Sequence, residues 1–388
     1  MNEEFFNGTM IKSIDLLPKD GRAEAGYLEA MLDNFAASYK LFWFKGIFTE
    51  VLKGNRTLSY KRIVARMIAS AWYPIVFYNL YFGHSDNLAD VISYTHNVLK
   101  VEREIDEEKL VEFICECEDK ELNKKINTFT NFVPYRLIRP FYQRDIEEEK
   151  KNDTRFNDGK INKIIEQNNQ GDENAFYTLD RVNKRLVVSK KWSEYLIKNA
   201  AIIEGWMNYK LIGFIQSKNP NVPAIPYKIF PPRKRDLSSA TKYWTRVRGV
   251  VTLRDLYTDL EFTGDNLERY GSISIDHFIP WSFVLHDELW NLYPAFKNIN
   301  SMKGNKLPDV KKYLDSFCQY HYRSFIAAKE TKDIKKKTIE DYLTVRKDIF
   351  NIGSDDRGQD AFITSMKQTI EPLYQIASNQ GYGVWWYR

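Results

Sequence analysis

Six side chains between Ser272 and Pro308 have types and spacing that could do chemistry: Asp276, His277, Asn291, Asn300, Lys303 and Lys306. A neutral imidazole accepts a proton from water near neutral pH, so His277 is the candidate general base. Asp276 and Asn300 offer one carboxylate and one amide oxygen, a sparse set of hard donors. Mg²⁺ suits such a set because it keeps several waters and takes further ligands from substrate phosphate, and Mn²⁺ can substitute for it. Asn291 is a candidate orienting residue whose amide would bond backbone near His277 and hold the ring. Lys303 and Lys306 follow Asn300 closely enough to meet the same phosphates. Hydrolysis of a phosphodiester needs an activated water, a charge neutraliser on the phosphate and help for the departing oxygen. This set can supply all three.

Each residue alone has an ordinary reading. An Asp-His pair is commonly a buried histidine whose tautomer a carboxylate fixes, and a lone Asn is a turn residue or helix cap. Two lysines alone are a solvated face. The elements expected to position the residues argue for the joint reading. Ile273, Ile275, His277 and Ile279 alternate with Ser274, Asp276 and Phe278, which predicts a strand that ends near Pro280. Asn291 opens a second strand at Asn-Leu-Tyr, and Asn300 lies in a helix-compatible stretch beyond Pro294. Neighbouring strand residues point to opposite faces, so Asp276 and His277 can serve one phosphate only if the strand ends or bulges there.

Strand, loop, strand and helix with Asp-His, Asn and Asn at these points resemble the HNH, or ββα-metal, endonuclease family. His277 precedes Asn291 by 14 residues and Asn300 by 23, a spacing most similar to the HNH domain of RNA-guided CRISPR effector nucleases. The surrounding Asp276–Phe283 segment, the Asn291-Leu292 pair and Asn300-x-x-Lys303-Gly304-Asn305 belong to the same pattern. The resemblance covers about a tenth of the chain. It implies metal-dependent cleavage of DNA rather than RNA, with His277, Asn291 and Lys303 as catalytic residues and Asp276 and Asn300 as metal ligands. The full-length arrangement looks similar to bacterial HNH proteins of restriction and anti-phage defence. Two other readings stay open: a catalytically silent nucleic-acid-binding or scaffold protein, and an effector nuclease active only with a partner. His286 and Asp287 read as loop residues, and His84, His96 and His321 as structural ones.

Beyond the motif, Lys228, Arg233, Lys234, Arg235, Lys242, Arg246 and Arg248 form a basic stretch that only Asp236 opposes, with Tyr243 and Trp244 inside it. Arg233, Lys234, Arg235, Lys242, Arg246, Arg248 and Lys306 are therefore the candidate nucleic-acid contacts, since phosphate contacts supply most sequence-independent affinity. A charged helix face with its aromatics in the core is the competing reading. Arg136, Arg139 and Arg144 form a weaker candidate.

The expected fold is α+β and mainly helical, with the ββα module embedded between helical regions. Helical spacing covers Gly26–Leu52 (Leu28, Met31, Leu32, Phe35, Tyr39, Phe42), a helix opened by Ser59 that breaks at Pro74, and the stretches 88–101 and 107–126. Pro134–Arg144 reads as irregular and the following charge run as a helix end or linker. Phe176–Leu179 and Leu186–Val188 suggest a hairpin. Lys190–Ser217 reads as one long helix burying Trp192, Leu196, Ile202, Ile203, Trp206 and Phe214. Short strands and turns follow up to residue 297, and 332–378 is helical again. Four regions result: 1–130, a helical candidate sensor or partner surface; 131–230, a connecting and DNA-binding region; 231–325, the nuclease module; and 326–388, helices with an aromatic tail.

Across 388 residues the composition is 43% hydrophobic, 28% charged and 15% aromatic, which excludes a disordered chain. The net charge of +5 permits a nucleic-acid partner without requiring one. Three cysteines give neither a disulfide framework nor a zinc knuckle, so a reducing cytoplasm and an oxygen-rich metal site are expected. The opening MNEEFFNGTM lacks the order of a secretory signal, and no apolar run is long enough to span a membrane. A defence-system protein or a second copy of the chain is the expected protein partner.

Overall fold

The computed structural model describes residues 17–388 apart from 20, 22, 34–36, 85, 153–156, 332, 333 and 335. The chain divides into two compact units, Met1–Asn219 and Pro220–Arg388. The region boundary expected at 325 falls inside a continuous helix, Val310–Glu330, so the module and the C-terminal helices share one unit. The opening MNEEFFNGTM and Phe35 lie outside the described residues.

The first unit is built on two helices that bury most of their length, α2 (Tyr39–Leu52), which follows the short α1 (Ala25–Met31), and α3 (Tyr60–Trp72). Gly54, at φ +88°, lets the chain turn just past the end of α2. Ser59 caps α3, its side chain accepting from the Arg62 amide, and Pro74 lies in a π-helical turn, Tyr73–Phe77, that ends the run. The stretches 88–101 and 107–126 become three helices: α4 (Asn87–Asn97), α5 (Glu107–Glu116) and α6 (Lys120–Thr130). Asp119 separates the last two by capping the Leu122 amide. Pro134–Arg144 is not irregular. Pro134 and Pro140 both sit in first turns, where a missing N–H costs nothing, of α7 (Val133–Ile138) and a 3₁₀ turn, Arg139–Tyr142. The charge run continues as α8 (Gln143–Asn152), followed by α9 (Asp158–Asn168).

A three-stranded antiparallel sheet of order β1-β3-β2 contains the hairpin β2 (Tyr177–Asp180) and β3 (Arg185–Val188). Its edge strand β1 (Thr57–Ser59) comes from far upstream, and three residues carry too little periodicity to announce it. The long helix is interrupted at Asn199, giving α10 (Lys190–Lys198) and α11 (Ala200–Lys218). That break rotates the second half, so Ile202 is 52% exposed and not core.

The second unit opens with α12 (Ile225–Lys228) and α13 (Ser238–Arg248), and α14 (Gly264–Tyr270) precedes the strands. The region after Pro232 is thus more helical than its turn-rich composition suggests. Next come β4 (Ile273–His277), the short α15 (Trp281–Val284), β5 (Leu292–Phe296) and α16 (Lys297–Lys303). β4 and β5 pair antiparallel, with Asp276 opposite Tyr293 and His277 opposite Leu292. Pro294 fits because a two-stranded ladder leaves one side of each strand unbonded. Gly304, at φ +55°, ends α16. β6 (Leu307–Pro308), α17 (Val310–Glu330) and α18 (Asp356–Asn379) lead to β7 (Val384–Trp385), which returns to pair parallel with β6. The fold is α+β and mainly helical, as expected. Among the described residues no helix is long and apolar enough to cross a membrane.

A buried ion cluster sits in the first unit. Arg66, 1% exposed at its side chain, bonds Glu50 at 2.6 Å and Glu108 in fork geometry with both bonds at 2.7 Å. Without Arg66, Glu50 would keep Arg62 and Asn55, and the half-exposed Glu108 would keep Lys53. Arg66→Ala should cost about 1–3 kcal/mol, the scale of lost hydrogen bonds to charged groups that keep other partners, and Arg66→Lys should recover little because an ammonium cannot form the fork. Urea unfolding followed by tryptophan fluorescence checks both; an Arg66→Lys protein as stable as the parent would refute the account.

Candidate active site

The site is organised by one carboxamide. Asn291 is fully buried, and its Oδ1 accepts from the Ile279 amide at 2.8 Å while its Nδ2 donates to the Ile279 carbonyl at 2.9 Å. The Phe278 amide donates to the Asn291 carbonyl at 2.9 Å. Asn291 thus continues the β4–β5 ladder for two residues after β4 ends, through its backbone at Phe278 and its side chain at Ile279, up to Pro280, which has no amide to pair. That clip fixes the backbone immediately beyond His277 and gathers both ends of the intervening loop.

His277 is 5% exposed, and its Nε2 lies 2.7 Å from Asp287 Oδ1 in that loop. A carboxylate can only accept, so Nε2 carries a proton, and in the tautomer this selects Nδ1 is the acceptor. The loop is braced in turn. Asp341 accepts the Leu289 amide at 2.9 Å, and Glu288 accepts from Thr344 and from the Trp290 indole. His286 packs against Trp290 with ring centres 5.3 Å apart, and burial pushes its pKa down.

Asp276 is 6% exposed and points away from the His277 ring. Its Oδ1 accepts from Lys303 Nζ at 2.9 Å and its Oδ2 from the Tyr257 hydroxyl at 2.5 Å. Lys303 is 1% exposed and also donates to the His277 carbonyl at 2.9 Å. It is therefore part of the buried frame and not on a solvated face. Burial, with the charge of Asp276, raises the Tyr257 pKa well above the ordinary phenol value, so the hydroxyl stays a donor. The Tyr257 ring meets Tyr313 and Trp385 edge-on, each at 5.1 Å between centres. Asp255 builds the turn that carries Tyr257, accepting from the Tyr257 and Thr258 amides and, through its other oxygen, from the Phe296 amide at the end of β5. Asn300 donates from Nδ2 to Ser274 Oγ at 3.0 Å and to the Ile275 carbonyl at 3.4 Å. Those bonds place it beside the residue preceding Asp276 and engage its amide nitrogen, not its carbonyl oxygen.

Asp276, His277, Asn291, Asn300 and Lys303 are thus brought together, with Tyr257 and Asp287 added. Tyr257 lies nineteen residues before Asp276 in a segment without periodicity. Asp287 is visible in the sequence but reads there as a loop residue; the signal is a carboxylate in a loop that must return to the strand end where it starts.

Lys306 is exposed, and so are Arg233, Lys234, Arg235, Lys242, Arg246 and Arg248. Lys228 is not: it is fully buried, its ammonium donates to the Phe283 carbonyl, and burial lowers its pKa to about 7. Tyr243 and Trp244 are also core, Trp244 lying 5.0 Å from Tyr293 and 5.4 Å from His321 between ring centres. The charged face and the aromatic core are two sides of α13. Arg235 lies over the Trp281 ring at 4.9 Å, just beyond the Asn291-clipped turn. In the first unit, Arg136 pairs with Asp158 and Arg144 with Glu148.

Residues 255–309 match the family model described as HNH endonuclease. The segment is an HNH domain. The match opens at Asp255, the residue that holds the Tyr257 turn, and closes at Asp309, which caps α17. No curated protein and no solved structure matches the chain. The hard-oxygen groups in this segment are the Asp276 carboxylate, whose two oxygens are held by Lys303 and Tyr257, and the Asn300 carbonyl, the donor types that a hard cation such as Mg²⁺ takes. Among the described residues no three His, Cys, Asp or Glu side chains gather into a closed cage.

The clip gives a direct test. Asn291→Ala loses both bonds to Ile279 and leaves buried backbone groups unpaired, at a cost of about 1–3 kcal/mol for each group. Asn291→Asp keeps the acceptor but sets a carboxylate against the Ile279 carbonyl, so it should destabilise at least as much. Amide exchange at Phe278 and Ile279 should accelerate in both. Parent-like protection in Asn291→Asp would show that the clip is not needed.

Proposed function

We propose that the protein is a metal-dependent endonuclease that hydrolyses phosphodiester bonds in DNA. The observation that carries this reading is the HNH match over a segment in which an oriented histidine adjoins a carboxylate and an amide with hard-oxygen chemistry. His277 takes the proton of the attacking water at Nδ1, while Asp287 holds Nε2–H and stabilises the imidazolium that forms. Asn291 keeps the strand end, and with it the ring, in place. Asp276 and Asn300 would hold Mg²⁺, or Mn²⁺ in its stead. When bound, the cation supplies charge neutralisation at the scissile phosphate. Arg233, Lys234, Arg235, Lys242, Arg246, Arg248 and Lys306 form exposed cationic surface for the DNA backbone. Bacterial restriction or anti-phage defence is the setting we propose, on the resemblance of the whole arrangement to HNH proteins of that kind.

Cleavage of plasmid DNA with Mg²⁺ or Mn²⁺ is the test. His277→Ala should lower the rate by about 10²–10⁴-fold, the range for a positioned general base, with DNA binding retained. Asp276→Ala should abolish cleavage, and added Mg²⁺ should not restore it. If neither variant changes the rate of the purified protein, the site assignment is wrong.

The basic surface predicts a different readout. Replacing Arg233, Lys234 and Arg235 with alanine should weaken binding about equally for all sequences. The slope of log K against log salt should fall by about one for each phosphate that the variant no longer neutralises. An unchanged slope would return these residues to an ordinary solvated face.

A further inference from the structure

The carboxylate assigned to the metal already faces a cation of the protein's own. Lys303 Nζ lies 2.9 Å from Asp276 Oδ1 and 2.9 Å from the His277 carbonyl, with the lysine 1% exposed. A divalent cation on Asp276 would stand beside this ammonium in a site from which water is largely excluded, where like charges repel strongly. The two partners of Asp276 also differ in how they reach it. Tyr257 is wedged between Tyr313 and Trp385, and its turn is fixed by Asp255. Lys303 reaches Asp276 on a flexible four-carbon stem from the last turn of α16, and the chain turns away at Gly304 directly after it.

We propose that Lys303 gates metal binding: its ammonium competes with the divalent cation for Asp276, and DNA phosphate, by offering the ammonium another partner, releases the carboxylate. Tyr257 keeps Asp276 oriented when Lys303 leaves. Metal and DNA then bind with positive coupling, and by linkage each tightens the other by the same factor. Lys303 acts on the cation through Asp276 and is not itself a ligand. The inference rests on the nuclease reading above and goes beyond it in assigning the order and coupling of ligands.

The test is Mn²⁺ binding, followed by the electron paramagnetic resonance of free Mn²⁺, on the full chain carrying His277→Ala to prevent cleavage. Titrations are run with and without duplex DNA. With Lys303 present, DNA should tighten Mn²⁺ binding within the usual range for coupled sites, roughly 5–150-fold. Lys303→Met keeps the stem and removes the charge. It should bind Mn²⁺ more tightly than its parent without DNA, and the DNA effect should vanish. Lys303→Arg, whose guanidinium forks onto a carboxylate, should weaken Mn²⁺ binding, and it serves as the test if Lys303→Met melts early by circular dichroism. The proposal is overturned if folded Lys303→Met binds Mn²⁺ no more tightly than its parent, if Lys303→Arg does not weaken binding, or if DNA leaves the affinity of the Lys303 protein unchanged. Failure of the underlying reading looks different: Asp276→Asn would then bind Mn²⁺ as well as the parent does, and the wild-type chain would not cleave.

Discussion

A single side chain that behaves as backbone governs the second unit. Asn291 donates to and accepts from Ile279, so the ladder of β4 and β5 persists where the regular strand has stopped. Without that continuation the chain after His277 would meet Pro280 unpaired, and the loop carrying Asp287 would have no fixed return. A carboxamide suits the position because donor and acceptor sit on one rigid plane, matching the peptide group opposite. The approach of Asp287 to the His277 ring depends on this clip, because it fixes where the intervening loop leaves and rejoins the strands.

The adjacent pair, Asp276 and His277, uses the alternation of a strand to divide labour. Asp276 turns to Lys303 and Tyr257, and the His277 ring turns to Asp287. Two polar groups with incompatible surroundings are thereby one residue apart yet do not pair with each other. Lys303 binds both residues, one through its carboxylate and the other through its carbonyl.

The sequence was most informative where period and punctuation agree. The alternation of Ile273 to Ile279 and the helix start at Ser59 were legible because a half-buried strand and a helix terminus each impose a pattern on consecutive residues. Breaks inside helices were not. Asn199 and Asp119 divide stretches whose apolar spacing continues across them, so their interruption is set by packing and capping. Tyr257 was invisible because its partner is distant in sequence and a tyrosine near a turn is unremarkable. Lys228 and Lys303 show the limit of counting charge: both are cationic in a basic context, and both are buried against carbonyl or carboxylate oxygens. The exposed members of the basic stretch were legible as a group because only Asp236 interrupts them.

The parallel pairing of β6 with β7 brings a segment from beyond α18 back to the HNH domain, and Trp385 in that segment supports the ring of Tyr257. Residues 255–309 therefore do not contain everything that shapes their own site. Translation proceeds in chain order, so the whole matched segment is made before the strand that buttresses it. Until Trp385 emerges, Tyr257 lacks one of its two aromatic supports and Asp276 lacks a firmly held donor. Completion of the brace thus waits for a segment made after the whole motif, and a product terminated between the two carries the complete motif without it.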